Sequence, residues 1–584
     1  MAKKQNKVKT APTPDQLLKA FFEECKRQGR ILPRAEYREL SGQAHGKIEF
    51  EFGTWSKFVT EMIMEYPEIR DYVFTYEDFS DSVWATTLNK LSKYKTFIVT
   101  TAISGGKIDK KAMAAAKNLA KRRNAALCII PSGNDLLQLD PALKGELLLF
   151  NEFWINSNLK VLPVNLSPTS VKPQTGMARV GARACSVILG APKLSKDSIP
   201  TDNDKLPHLI MTTGAITSPA YKKKGVLVNK QSFVASSDHN MSAILVEVEG
   251  DLFWERVLEF NTDGSVVDVN EKGAERFFAD GSVKKEVPLN LNVGDWHAGE
   301  TSAITYEAWP ELAKLVKPKS ISLHDVFSFH GHSHHTADNL LETVRIAENN
   351  LANPLNEFKR LAMDLSMWSA MSPTSLIKIV ASNHNEHLRK AIQERNLDKP
   401  ETFRIFCDLS IAALDGNDPV EYGIKKYAKF SNKNVEFMTR ESRHVYRNKS
   451  GEILLHLHGD VGGNGSRGGA SGGSGGSLAV SSGCAIVGHT HTPGIFPGNT
   501  EGSAGNGGLW INGTSTCINR NRPAYARGSA SSWLQTSTLL FGQEGGRFTR
   551  TQLTVVDGRI FRGGERYNNA VDEVYKPLGH KRAA

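Results

Sequence analysis

The chain has 584 residues, 40% hydrophobic and 23% charged, which is the composition of an ordinary globular protein too long for one compact core. Two or three domains are the natural expectation. A formal charge of +10 and a pI near 9.1 suit a polyanionic partner, though the excess is spread thinly over a long chain. The basic start, residues 1–12, is followed by no apolar run, and no later segment is apolar enough to span a bilayer. A signal peptide, a membrane anchor and a membrane partner are therefore not expected, and a cytoplasmic location is. The six cysteines, Cys25, Cys128, Cys185, Cys407, Cys484 and Cys517, form no CxxC pair. They read as reduced thiols, not as a zinc knot or a disulfide frame.

Residues 1–12 read as a disordered basic arm. Thr13-Pro14-Asp15 then supplies an N-cap, a first-turn proline and a first-turn acid. Leu17, Leu18, Phe21 and Cys25 follow at helical spacing until Gly29. Further helices are predicted from Pro33 to before Gly42, from Gly46 to Phe52, and from Thr54, with Trp55, Phe58, Val59 and Met62 on one face. Residues 13–66 thus make a small all-helical domain. From about Tyr72, strand-like runs at Phe97–Thr101, Ala125–Ile130, Lys160–Val164 and His208–Thr213 alternate with helical ones such as Lys110–Arg123. That alternation predicts an α/β domain over 67–285 with a largely parallel sheet, closed by a hairpin of Ala243–Glu249 and Phe253–Phe260. A second α/β block spans 286–584, and the Gly/Ser-dense stretches Gly462–Ser477 and Gly498–Gly513 inside it read as loops.

Nearly all the chemistry lies in that last block. Five short elements, each ending a strand-like run, occur in order: Gly294-Asp295-Trp296-His297, then Leu323-His324-Asp325, then Ser382-Asn383-His384-Asn385-Glu386, then His456-Leu457-His458-Gly459-Asp460, then Gly488-His489-Thr490-His491. Asp, His and Asn at strand ends offer oxygen and imidazole donors to divalent transition metals, and the carboxyl ends of parallel strands are where open α/β sheets place their sites. Phosphodiester cleavage calls for such donors. Two ions about 3.5–4 Å apart neutralise the phosphate and supply a nucleophile near neutral pH.

The order resembles the calcineurin-like (Mre11-like) metallophosphoesterase pattern D-x-H, G-D, G-N-H-D/E, H, G-H-x-H. The resemblance implies a β-sandwich flanked by helices, with one ion held by Asp295, His297 and His491. It implies a second ion held by Asn383, His458 and His489, with Asp325 bridging both. Manganese is the first candidate for both positions, and magnesium, iron and zinc are the others. His384 becomes the candidate proton donor to the leaving alkoxide. Three positions depart from the pattern: His324 and Ser382 replace glycines, and Asn385 replaces an acid. Glu386 is then either the group that orients His384 or an ordinary first-turn acid. In Phe329-His330-Gly331-His332-Ser333-His334-His335, His334 and His335 are candidates for substrate contact or support of the metals, against a plain polar loop. Arg467 is a candidate phosphate clamp or a solvated arginine.

The fold alone does not choose a phosphoester. The N-terminal run Gly29–Arg38, Lys47-Ile48 and Phe52-Gly53-Thr54-Trp55 resembles the small helix-turn-helix repeat found beside homing endonucleases. In that resemblance Trp55 and Phe58 are core, Gln43, His45 and Lys47 face a DNA groove, and Arg30, Arg34 and Arg38 touch phosphates. The alternative is a helical docking module with no DNA contact. The chain also resembles the pre-early host-DNA-degrading proteins of T5-like bacteriophages, through Leu323–Phe327, His458-Gly459-Asp460 and Ser531-Ser532-Trp533. The expectation is a two-metal DNA nuclease of the bacterial host cytoplasm, with homo-oligomers admitted because nucleases of this family often pair. The competing expectation is a phosphatase or nucleotide phosphodiesterase with a protein-binding module.

Overall fold

The computed structural model describes residues 12–567 apart from 42–44, 134, 168, 171, 178, 180–184, 202–205, 220–229, 331–339, 349, 394–401, 449–450, 462–483, 497–507, 517, 519–530 and 543–545. The arm expected over the first residues lies almost wholly outside this set.

Local signals shape the N-terminal helices. Thr13 and Gln16 cap Pro14–Gln28 reciprocally, each side chain accepting from the other's main-chain N–H. Gly29, at φ 64°, closes the helix in the left-handed conformation that glycine adopts without strain. Helices follow at Arg34–Ser41, His45–Phe52 and Trp55–Glu65, the last capped by Thr54. Phe21, Tyr37, Ile48, Phe58 and Met62 pack into one apolar core that Leu137 joins from the next part of the chain.

The protein is a mixed α/β structure, and among the described residues its strands form four sheets. Thr96–Ile103 and Ala126–Ser132 pair in parallel around the crossover helix Lys110–Arg123. The predicted hairpin, Ser242–Glu249 with Leu252–Glu259, then adds antiparallel to the edge of Thr96–Ile103. The layer is therefore mixed where a largely parallel sheet was expected, because the hairpin can reach only an open edge.

The other predicted strands of this region leave it. Leu159–Leu162 and His208–Thr212 flank Ser186–Leu189, a strand that was not predicted, and pair with it in parallel inside a ten-stranded sheet that also contains Gly451–Leu454, Cys484–Val487 and Gly508–Ile511. That sheet runs across position 285, where the texture of the sequence changes. Gly508–Ile511 also corrects the expectation of a loop through Gly513: Leu509, Trp510 and Ile511 are buried strand residues at the end of the glycine-dense stretch.

The remaining large sheet has six strands in the order Val435–Phe437, Leu376–Ile379, Ser320–Leu323, Asn290–Val293, Thr536–Gly542 and Phe548–Thr554. The first four are parallel and the last two antiparallel. Leu291, Val293, Ile321, Leu323 and Ile377 share a core with helix residues Trp309, Phe358 and Trp368. A second core joins Leu540 and Phe548 of this sheet to Ile453, Ile486 and Trp510 of the ten-stranded one. Two sheets thus pack together, with helices covering the six-stranded one.

Candidate metal centre

All five motifs leave the carboxyl ends of strands, three from the six-stranded sheet and two from the ten-stranded sheet. Main-chain hydrogen bonds lash the loops together. Trp296 and His297 donate to the carbonyls of His324 and Asp325, at 2.9 and 2.8 Å, and Gly488 donates to the His458 carbonyl at 2.9 Å. Four of the expected ligands, His297, Asp325, His489 and His491, hold φ values of 49°, 47°, 79° and 58°. Non-glycine residues rarely adopt that left-handed conformation, and such strain persists where surrounding structure fixes it, often at functional sites. Gly488 is required for a related reason. A Cβ there would collide with the Asp295 carboxylate, which accepts from the His489 N–H at 2.8 Å.

One donor atom from each of Asp295, His297, Asp325 and His491 lies within 4.8 Å of the others, so small side-chain adjustments bring all four within bonding reach, about 2.0–2.2 Å, of one ion. His491 Nε2 is 3.2 Å from Asp295 Oδ2 and 3.3 Å from His297 Nε2, which is 3.7 Å from Asp325 Oδ2. The other ring nitrogen of His297 is held by Ser328 Oγ at 2.9 Å, so Nε2 faces the cluster. His458 Nε2 stands 3.1 Å from Asp325 Oδ2, and its ring lies 5.2 Å from that of His489. Asp325 Oδ1 and Asn383 Oδ1 are buried acceptor atoms with no hydrogen-bond partner. A buried carboxylate oxygen without a donor is costly unless a cation meets it. This nitrogen and oxygen set, with its orphaned acceptors, can hold a metal ion.

Electrostatics point the same way. Burial works against ionisation of Asp295, but the hydrogen bond with His491 and the charge of His458 outweigh it and hold the carboxyl at about 2. Asp325 is likewise driven well below the usual range, burial being overcome by His458 and His384. Burial also opposes charge on His458, yet Asp325 prevails and raises the imidazole to about 9. Burial lowers His297 to about 3 and moves His384 down as well. The His384 ring stands 4.7 Å from that of His297, and its Nδ1 is buried without a hydrogen-bond partner.

Some expectations are placed elsewhere. Glu386 accepts from Arg440 at 2.7 Å, and Arg440 grips Asp460 at 2.9 and 2.6 Å. Glu386 is thus a first-turn acid tied to the fourth motif by Arg440. Asn385 accepts from the Phe327 N–H at 3.3 Å and so bridges the second and third motifs, a role an amide fills without adding charge. His330 donates its N–H to Glu357 at 2.7 Å, and its ring is 3.4 Å from Glu300. In the N-terminal domain Arg30 pairs with Glu36, Arg34 with Glu49, and Lys47 donates to the Pro12 carbonyl, whereas Arg38 is exposed. Gln43, His334, His335 and Arg467 lie outside the described residues, as does the side chain of His45. Sequence reasoning missed Arg440 and Ser328, and it read Trp533 only as part of the phage resemblance, not as the ring that packs edge-on at 4.3 Å against His491. It also missed Asn292. The available signal was an asparagine alternating through an otherwise apolar strand.

The cysteines described, Cys25, Cys128, Cys185, Cys407 and Cys484, are free thiols, and no described helix is long and apolar enough to cross a membrane. No family model matches the chain, and no solved structure matches it. A curated relative does. Protein A1 of Escherichia phage T5 is 25% identical over 455 residues, which cover 74% of this chain and 74% of the relative. The chain is thus related to a bacteriophage protein across most of its length.

Proposed function

We propose that the chain is a metal-dependent phosphodiesterase that hydrolyses DNA, of the calcineurin-like kind, and that it degrades bacterial host DNA in the cytoplasm early in phage infection. The observation that carries this reading is the convergence of Asp295, His297, Asp325 and His491, with His458 on the same Asp325 carboxylate. Two packed sheets with helices outside and every ligand at a strand end support the same assignment. Divalent ions, manganese first, would be held by Asp295, His297 and His491 and by Asn383, His458 and His489, sharing Asp325. Such ions neutralise the scissile phosphate and make a nucleophile available near neutral pH.

The side chains account for the rest. Ser328 orients His297, and Gly488 makes room for Asp295. His384 stands beside the cluster and delivers a proton to the leaving alkoxide. Burial lowers its affinity for that proton, and the negative charge of an arriving phosphodiester restores it.

DNA as substrate is supported by the charge of +10, the exposed Arg38 and the phage relative. In this reading residues 13–66 dock DNA, 286–584 carry the catalytic motifs, and 67–285 add strands to the shared sheet. One observation favours the second reading, a phosphatase or nucleotide phosphodiesterase with a protein-docking module: Arg30, Arg34 and Lys47 are engaged within their own domain. Purified protein incubated with circular and linear DNA, with and without manganese, separates the two. Manganese-dependent nicking or degradation is expected. Turnover of bis-p-nitrophenyl phosphate with plasmid left intact would favour the second reading, and turnover of neither substrate would overturn both.

A further inference from the structure

His324 occupies a position where the calcineurin-like pattern has glycine, and its side chain is completely buried. Its Nε2 stands 3.1 Å from Asn292 Oδ1 and its Nδ1 3.4 Å from Nδ1 of His458. The surrounding network decides which atoms donate. Asn512 Nδ2 donates to the Asn292 main-chain oxygen at 2.9 Å and to Asn292 Oδ1 at 2.7 Å. A main-chain oxygen can only accept, which fixes the orientation of the Asn512 amide, and Asn512 Oδ1 meanwhile accepts from the Thr538 hydroxyl at 2.6 Å. Asn292 Oδ1 can only accept, so His324 must present N–H at Nε2. A neutral imidazole protonated there has a lone pair at Nδ1. The facing Nδ1 of His458 must then be the donor. With Nδ1 committed to that hydrogen bond, the proton that His458 Nε2 shares with Asp325 Oδ2 at 3.1 Å is the one a metal displaces, and Nε2 is then the nitrogen that offers a lone pair.

We propose that His324 is a positioning residue that fixes the tautomer of His458, so that Nε2 is the nitrogen given to the metal. The inference rests on the metal-centre reading and adds to it a support that the family pattern lacks. Metal-ligating histidines usually give their second N–H to a carboxylate, a carbonyl or water. Here an imidazole takes that place, itself anchored through Asn292 and Asn512 to main chain. A carboxylate there would put a third negative charge beside Asp295 and Asp325. A neutral ring orients His458 without that repulsion.

Substitutions separate orientation from packing. His324→Leu fills the space without an acceptor, whereas His324→Asn places an oxygen close to the lost Nδ1. Mn2+ binding to the full chain, followed by the electron paramagnetic resonance of free Mn2+, should show two ions on the wild type. On His324→Leu one of them should be weakened roughly 10- to 100-fold, while His324→Asn stays within about threefold of wild type. Equal weakening in Leu and Asn, or full affinity in Leu, overturns the inference. Absence of Mn2+ binding by the wild type overturns the metal-centre reading as well. A measurement without variants guards against misfolding: 15N-histidine spectra of the Zn2+-loaded wild type should show His458 protonated at Nδ1 and ligated at Nε2. Ligation through Nδ1 overturns the inference.

Discussion

Asp325 and His458 meet at 3.1 Å in the buried floor of the site, and in the metal-free protein each holds the other in its charged form. His458 is raised from 6.5 to about 9, so this contribution to stability is complete below pH 6.5 and is lost as pH rises through 9. The Asp325 share has the opposite sign. It is present above the ordinary value of 3.8 and is lost as pH falls toward the depressed one. A metal that takes His458 Nε2 must displace the proton there. Apparent Mn2+ affinity should therefore rise about tenfold per pH unit from near neutrality to about 9, then level off. Calorimetry in buffers of different ionisation enthalpy should find about one proton released per ion at that position. Affinity independent of pH over this range would refute the pairing.

Asp325 and His384 should fail in different ways. Asp325→Asn keeps the volume but removes the charge that both proposed ligand sets would share. Manganese uptake should fall, cleavage should fall by about a thousandfold or more, and DNA binding should be retained. His384→Ala removes no ligand. Both ions should still bind, and cleavage should fall by about 10²–10⁴. Plasmid relaxation, gel shift and metal titration on the same preparations test this contrast, and restored cleavage in purified Asp325→Asn would count against the whole centre.

Gly488 offers a test of geometry. An added methyl group collides with the Asp295 carboxylate, which is already fixed by the His489 N–H and by His491. Gly488→Ala should cost about 1–3 kcal/mol of stability and weaken metal binding, because the carboxylate must turn away from its partners. Thermal denaturation with and without Mn2+ should show both a lower midpoint and a smaller metal-induced rise.

The N-terminal arginines should divide by their surroundings. Arg38 is exposed and free to meet a phosphate, so Arg38→Ala should weaken DNA binding and reduce the slope of log affinity against log salt by about one. Arg30 already faces Glu36, and its loss should mainly remove a local pair worth about 1 kcal/mol or less. Salt titrations of DNA binding measure the difference, and equal slopes for Arg38→Ala and wild type would remove this arginine from the interface.

The legible parts of the sequence were those decided locally. Thr13 and Gly29 bound the first helix through capping chemistry that needs no distant partner. Asp295, Asp325 and His491 were recognisable because each stands in a motif of the metallophosphoesterase pattern at the end of a strand-like run. Strand partnership was not legible in this way. Leu159–Leu162 and His208–Thr212 would read identically in either sheet, and their neighbours are chosen by contacts remote in sequence. His324 showed only as a departure from a pattern. Its role required Asn292 and Asn512, which are 220 residues apart along the chain.

Away from the metal centre, His239 should govern part of the response to acid. Its ring is buried, Nε2 lies 2.7 Å from the Thr217 carbonyl, and burial lowers it from 6.5 to about 4. Above pH 6.5 the ring is neutral folded or unfolded, and stability is unaffected by this group. Between 6.5 and 4 the unfolded chain takes up a proton that the folded one refuses, so stability falls by about 1.4 kcal/mol per pH unit. Below 4 both states are protonated and the loss levels off at about 3 kcal/mol. Substitution by glutamine, whose amide can still donate to the Thr217 carbonyl, should flatten that segment of the profile. Urea denaturation at successive pH values, wild type against His239→Gln, measures the difference in slope. Parallel profiles from pH 6.5 to 4 would show that His239 is not the group responsible.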